Sequence, residues 1–218
     1  MRETSLPVIL VLMKDDLAIW EQKHLQYDRG AIAPDRFLDR YGELLEKARL
    51  PILDLACGTG SNSLYLVEKG KQVLACDYSP TALRLLKTYV PKADTLCFDL
   101  TKPFPLADES ADVILCDMGL HFFDTATTMG ILAQMRRVLQ PGGHVILRVN
   151  AMEDLAGKQV ERELEPHYYH VEDLDMRYFD RADLLRFFAD WTLLAAQRGQ
   201  MDRYRPPREI WHVLLQRP

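Results

Sequence analysis

Between residues 50 and 149 short apolar runs alternate with amphipathic stretches, and this alternation constrains the fold more than any other feature of the chain. Runs this short, joined by segments of helical spacing, are the pattern of parallel strands linked by crossover helices. Residues 51–55 (PILDL) read as the first strand and 61–69 as the helix after it. Residues 72–76 (QVLAC) are the second strand, and Ser79 caps the next helix with Pro80 in its first turn. Residues 95–98 and 112–116 are the third and fourth strands. The helix over 125–139 buries Ile131, Leu132, Met135, Val138 and Leu139. Gln140-Pro141-Gly142-Gly143 stops it, and 144–149 (HVILRV) is the fifth strand.

The flanks are less regular. Residues 14–48 predict two helices: Leu17, Trp20, His24 and Tyr27 form one stripe, and Pro34 opens a second helix with Phe37, Leu38, Tyr41, Leu44 and Leu45 on its apolar face. The run 6–13 (LPVILVLM) falls well short of the roughly 20 apolar residues that span a bilayer. Lys14-Asp15-Asp16 stands where a signal peptide would need small residues. The run reads as an edge strand, or as a stretch preceding a true start at Met13. From 150 to 176 the periodicity dissolves into a polar, aromatic-spotted insertion. A short helix follows from about Ala182 with Asp180 as its cap, then strands over 191–199 and 209–216 pair as an antiparallel hairpin at the sheet edge. The expectation is one α/β domain over 1–218. It comprises N-terminal helices (14–48), a ligand-binding core (50–148), an insertion or lid (150–176) and a terminal helix with hairpin (181–217).

Hydrophobic residues make up 48% of the chain, enough for a sizeable core. A net charge of −5 argues against a phosphate-backbone partner, so no nucleic acid is expected, and no membrane either. The four cysteines, Cys57, Cys76, Cys97 and Cys116, form no CxxC pair. Each is expected to close a buried strand, reduced, in a cytoplasmic protein without a metal site.

The richest segment is Asp54-Leu55-Ala56-Cys57-Gly58-Thr59-Gly60-Ser61-Asn62-Ser63. A glycine turn between strand and helix lets a ligand approach the backbone beside helix-start amides. Taken alone, Gly58-x-Gly60 and Asp77 suit a dinucleotide fold nearly as well, with Ser63 in place of a third glycine. The carboxylates separate the two readings. Asp54 lies inside the turn, Asp77 ends strand two, Asp99 follows strand three and Asp117 follows strand four. All four gather at the carboxyl edge, where open parallel sheets bind ligands. A pyrophosphate there would meet like charges, each close pair costing about 4 kcal/mol at about 4 Å. S-adenosylmethionine, with a sulfonium, an ammonium and no phosphate, suits that field.

Residues 50–148 resemble the core of class I S-adenosylmethionine-dependent methyltransferases. Leu53-Asp54-Leu55-Ala56-Cys57-Gly58-Thr59-Gly60 resembles their first motif, Asp77 their ribose-binding acid and Phe98-Asp99-Leu100 their adenine-side segment. Val138-Leu139-Gln140-Pro141-Gly142-Gly143 resembles the turn before their fifth strand. Met176-Arg177-Tyr178-Phe179-Asp180, Asp190-Trp191 and Met201-Asp202-Arg203-Tyr204 are similar to small bacterial members of uncharacterised substrate. The resemblance implies a Rossmann-like, doubly wound, mostly parallel seven-stranded sheet with a C-terminal antiparallel hairpin. It also implies Asp54 near the methionine amine, Asp77 near the ribose, and Asp99 with Leu100 near adenine. Ala56, Gly58, Gly60, Asn62, Tyr78 and Asp117 complete the expected cofactor contacts.

Methyl transfer from a sulfonium asks the protein mainly to align the reactants and exclude water. Where the nucleophile must lose a proton, His121 in Met118-Gly119-Leu120-His121-Phe122-Phe123 is the candidate base, with an ordinary pKa near 6.5. His167 and His170 with Glu172 and Asp173 imitate a metal cluster, but their segment reads better as an aromatic-lined lid. After strand four stands Asp117-Met118-Gly119-Leu120, not the Pro-Pro run of enzymes that methylate amino groups of bases or glutamine, so a small-molecule acceptor is expected. Arg198, Arg203, Arg205 and Arg208 around the hairpin suit an acidic substrate, but read better as a solvated edge that discourages strand pairing. An S-adenosylmethionine-binding protein without catalysis and an NAD-dependent oxidoreductase are the competing readings.

Overall fold

The computed structural model describes residues 9–27 and 32–218, residues 9–16 and 27 through their backbone alone. The chain opens with helix α1 (Ile9–Tyr27), a 3₁₀ turn over Arg36–Tyr41 and the short α2 (Gly42–Lys47). Then come β1 (Ile52–Leu55), α3 (Ser61–Glu68), β2 (Val73–Asp77), α4 (Pro80–Tyr89), β3 (Asp94–Cys97), β4 (Ala111–Asp117), α5 (Thr125–Val138) and β5 (Leu139–Asn150). The remainder holds β6 (Val160–Glu165), β7 (Tyr168–Val171), β8 (Leu174–Arg177), α6 (Arg181–Phe187), β9 (Thr192–Met201) and β10 (Arg208–Gln216).

Seven strands form one sheet in the order β3-β2-β1-β4-β5-β10-β9. The first five are mutually parallel, and β10 runs antiparallel to both β5 and β9. Both faces are covered. On one, Leu53, Leu55, Ile114, Val145 and Leu147 meet Ile131, Leu132 and Met135 of α5 and Leu184 and Phe187 of α6. On the other, Ile52, Val73, Val113, Leu115 and Ile146 meet Leu38, Leu45, Tyr65, Leu66 and Leu86. Successive residues of β1, β4 and β5 therefore divide between two cores, and their sequences are apolar on both faces apart from a few charged residues such as Asp54, Asp117 and Arg148. Each fully buried leucine or isoleucine contributes about 1.5–3 kcal/mol relative to exposure.

The doubly wound sheet and its terminal hairpin agree with the expectation from sequence, as do two caps. The Ser79 hydroxyl accepts the Ala82 amide, and Asp180 with Asp183 forms a capping box at α6. Four local expectations need correction. Of the run 6–13, residues 6–8 lie outside the described residues, and from Ile9 onward it is the beginning of α1, not an edge strand. The second N-terminal helix is split, 3₁₀ to Tyr41 and α-helical only from Gly42. The insertion is not patternless: β6, β7 and β8 make a three-stranded antiparallel sheet. Its turns, Pro166-His167 and Glu172-Asp173, put His167, Glu172 and Asp173 at positive φ, so the usual glycine signal is missing. Of the cysteines, Cys76 and Cys116 are buried, but Cys97 is exposed on the edge strand β3 and Cys57 is half-buried in the turn after β1.

Candidate cofactor and acceptor site

The turn from β1 into α3 is shaped by three residues at positive φ: Ala56 and Gly58, each at 53°, and Gly60 at 97°. A Cβ at Gly60 would stand 2.7 Å from Leu86 Cγ, so the start of α3 presses directly onto α4. Gly119, after β4, approaches the same turn so closely that its Cβ would lie 2.6 Å from that of Ala56. Two crossovers thus meet at one point of the carboxyl edge.

Asp54 belongs to β1 itself, two residues before the turn in which the sequence reading put it, and it is wholly buried. Its Oδ2 accepts the Ser63 hydroxyl at 2.6 Å, while Oδ1 has no hydrogen-bond partner. Burial pushes its pKa up to about 7, against the lowering effect of Ser63, and the Asp117 and Asp77 charges push the same way. Asp77 ends β2 and accepts the Gly58 amide (2.9 Å) and the Ser79 amide (2.9 Å), binding the glycine turn to the start of α4. Burial raises its pKa too, opposed by those amides and by His24. Tyr78 is half-buried beside it.

Asn62 and Asp117 join α3 to β4 through a 3.0 Å hydrogen bond, and Asn62 Oδ1 is buried without a partner. Asp117 is further gripped by Arg148, Nε to Oδ1 and Nη2 to Oδ2, both at 2.6 Å. Arg148 also reaches Asp35 at 2.5 Å and lies 3.6 Å over the Phe37 ring, and Arg203 approaches Asp117 at 3.5 Å. Burial would raise the Asp117 pKa, but these cations and Asn62 hold it below the ordinary carboxylate range. Asp99 stands apart, half-buried, accepting the Thr101 amide at 2.8 Å, and Leu100 packs into the core beside it.

His121 sits on a 3₁₀ turn, Leu120–Phe122, fully buried, with neither ring nitrogen hydrogen-bonded. Its expected pKa near 6.5 is corrected: burial, assisted by the Arg208 charge, drives it down to about 3, so the ring is neutral. Helix α1 closes over the crevice. Glu21 accepts the Ser79 hydroxyl and the Thr81 amide, His24 lies over Gly58, and Trp20 meets Phe122 edge-on at 4.9 Å. The Tyr27 side chain lies outside the described residues. In the insertion, His167 and His170 do not converge: His170 pairs with Asp175 and His167 with Asp183, each at 2.6 Å. His167, Asp180 and Asp183 do offer ligand atoms within 4.8 Å of one another, but the two aspartates are the capping box of α6.

Sequence reasoning missed Arg148, Asp35, Glu21 and the partnering of Arg203. Arg148 carried a signal: an arginine inside an apolar strand buried on both faces needs a carboxylate, and β4 presents Asp117 in direct register with it. Among the described residues no helix is long and apolar enough to cross a membrane.

Asp54 Oδ1 and Asn62 Oδ1 are acceptors without donors at the glycine turn, and this fits a ligand carrying ammonium and hydroxyl groups better than one carrying phosphate. Comparison with known proteins agrees. Residues 53–147 match the family model of a methyltransferase domain. The chain is 34% identical over 132 residues to an uncharacterised methyltransferase of Mycobacterium tuberculosis, covering 60% of this chain and 51% of that protein. It is 28% identical over 168 residues to a tRNA N(3)-cytidine methyltransferase of Gallus gallus, covering 71% and 45%. The chain thus spans about half the length of the curated relatives it matches. In fold it is similar to the 1,6-didemethyltoxoflavin-N1-methyltransferase of Burkholderia thailandensis, solved with its acceptor and S-adenosylhomocysteine: TM-score 0.70, 18% identity, 99% of this chain and 93% of that one. Residues 53–147 thus match a methyltransferase domain, set in a sheet whose fold is similar to that of solved methyltransferases.

Proposed function

We propose that the chain transfers a methyl group from S-adenosylmethionine to a small-molecule acceptor, acting as one domain over residues 1–218 in the cytoplasm. The observation that carries this reading is the pair of buried, donorless acceptor atoms, Asp54 Oδ1 and Asn62 Oδ1, at the turn between β1 and α3. Asp54 would hold the methionine ammonium and Asp77, flanked by Tyr78, the ribose. Asp99 with Leu100 would border the adenine, and Ala56, Gly58 and Gly60 would offer backbone at close range. Asp117 contributes through Asn62, whose amide it orients at 3.0 Å.

When bound, the cofactor supplies a methyl group on an already activated carbon. The chain aligns the acceptor and keeps water out, with α1 and Trp20 as cover. His121 would be the base for an acceptor that must lose a proton, but burial that lowers its pKa to about 3 makes it a weak one, so an acceptor that needs no deprotonation suits the site better. A net charge of −5 favours a small acceptor over a nucleic acid. Calorimetry with S-adenosylhomocysteine tests the reading, followed by labelled methyl transfer into fractionated metabolites. Heat of binding and a labelled small product are expected. Binding without transfer to any fraction would leave a sensor, and binding of NADH alone an oxidoreductase.

A further inference from the structure

Opposite the glycine turn, the wall of the crevice is assembled from segments far apart in sequence. α1 supplies Trp20 and Lys23, the Leu120–Phe122 turn supplies His121, the residue after β8 is Tyr178, and β10 begins with Arg208. Tyr178 shares an apolar cluster with Trp20 and Phe122. Ile210 pairs with Asn150 at the end of β5, which sets Arg208 beside the carboxyl edge of the sheet.

The hairpin arginines differ in their partners. Arg198 pairs with Glu153, and Arg203 approaches Asp35 at 3.6 Å and Asp117 at 3.5 Å. Arg205 donates to the Asp202 and Tyr204 carbonyls. Arg208, half-buried with its guanidinium 4.3 Å over the Tyr204 ring, has no carboxylate or carbonyl partner among the described residues. Its charge acts on Lys23, His121 and Tyr178, disfavouring a proton on each. Lys23 has no ion pair among the described residues either, and Glu172 and Asp173 act on it only through longer-range attraction. His121 and Tyr178 are both fully buried, and their two ring nitrogens and phenol oxygen lack hydrogen-bond partners. Two half-buried cations thus rest on aromatic rings, Lys23 over Trp20 at 5.1 Å and Arg208 over Tyr204, with no carboxylate in contact, and an anionic ligand would gain a charge-assisted partner there.

We infer that this wall selects an acceptor bearing a carboxylate, with Arg208 as the specificity-determining residue and Lys23 supporting it. The inference rests on the methyl-transfer reading and names its substrate class: a small carboxylic acid with an apolar or aromatic body. The guanidinium fork matches a carboxylate's two oxygens, and the nearby Glu172 and Asp173 disfavour a phosphate dianion. The half-buried Trp20, Phe122 and Tyr204 offer apolar surface for the body, and the fully buried His121 and Tyr178 lie behind them.

The test titrates the full chain with matched acids and amides (benzoate, 4-hydroxybenzoate and anthranilate against their carboxamides), with and without S-adenosylhomocysteine. At least one acid is expected to bind ten or more times tighter than its amide. Arg208→Gln is expected to bring that acid down to the amide's level while changing S-adenosylhomocysteine affinity less than twofold, which also shows that the variant is folded. Amides binding as well as acids, no acid binding, or selectivity surviving in Arg208→Gln would each overturn the inference. Absent heat with S-adenosylhomocysteine would instead remove the methyl-transfer reading, and acid selectivity is still read from the titrations without it.

Discussion

The two walls of the crevice solve opposite problems. On the side of the glycine turn, charges are matched within the protein: Asp77 by two amides, Asp117 by Arg148, and Asp35 by the same guanidinium. On the side of α1 and the β6–β8 sheet, Lys23, Arg208, His121 and Tyr178 are left without such partners among the described residues. The first wall is largely fixed by its own bonds, with Asp54 Oδ1 and Asn62 Oδ1 left open for a ligand. The second leaves its cations without a carboxylate, so more of its binding is decided by what arrives. On the proposed reading the first meets the methyl donor and the second the acceptor.

The contrast is broken most forcefully at Arg148. Replacing it with Met leaves the Asp117 carboxylate, 3% exposed, without its main cation, and should cost about 3–5 kcal/mol in urea unfolding. A loss below about 1 kcal/mol would mean that this wall is not held by its charges. Next, Asp77→Ala should weaken S-adenosylhomocysteine about 30- to 100-fold by calorimetry, since hydrogen bonds to a carboxylate contribute about 1.5–3 kcal/mol each.

Asp54 sharpens the comparison through pH. With a pKa of about 7 in the free protein, it must release its proton to hold an ammonium. Affinity for S-adenosylmethionine should therefore rise with pH below about 7, by at most about tenfold per unit, and level off above it. Asp54→Asn should flatten that dependence. The same shift bears on folding with a defined sign. A carboxyl raised from 3.8 to about 7 binds its proton more tightly when folded, so its contribution is present below about pH 4 and lost as pH rises through 7. His121 runs the other way. Its folded pKa of about 3 makes stability fall as pH drops from about 6.5 toward 3, and His121→Phe should relieve that slope by about 1.6 kcal/mol between pH 6.5 and 5. The smallest effect belongs to the unpaired wall: Lys23→Gln should change stability by less than about 0.5 kcal/mol, because no ion pair is lost.

Legibility in the sequence divides along the same line. The parallel strands, the Ser79 and Asp180 caps, the glycine turn and the carboxylates at strand ends were readable because each depends on residues adjacent in the chain. The β6–β8 sheet was not, because His167, Glu172 and Asp173 make its turns without glycine. Nor was the depressed proton affinity of His121, which follows from burial beneath elements far away in sequence. Asp117 was read correctly as an acid at the carboxyl edge, but its engagement by Arg148 required knowing that β4 and β5 are neighbours in register. The hairpin arginines looked alike as a cluster, and only their partners tell Arg208 from the rest.

The placement of β10 has a consequence for synthesis. It fills the slot between β5 and β9, pairing with β5 at seven positions from Ile210 to Gln216. Strands made earlier must therefore wait for one made later, and β9 has no place in the sheet until its successor emerges from the ribosome. A nascent chain in which β1 to β5 have assembled still lacks Arg208. On the proposed reading, the group that selects the acceptor joins the sheet later than the glycine turn and its carboxylates.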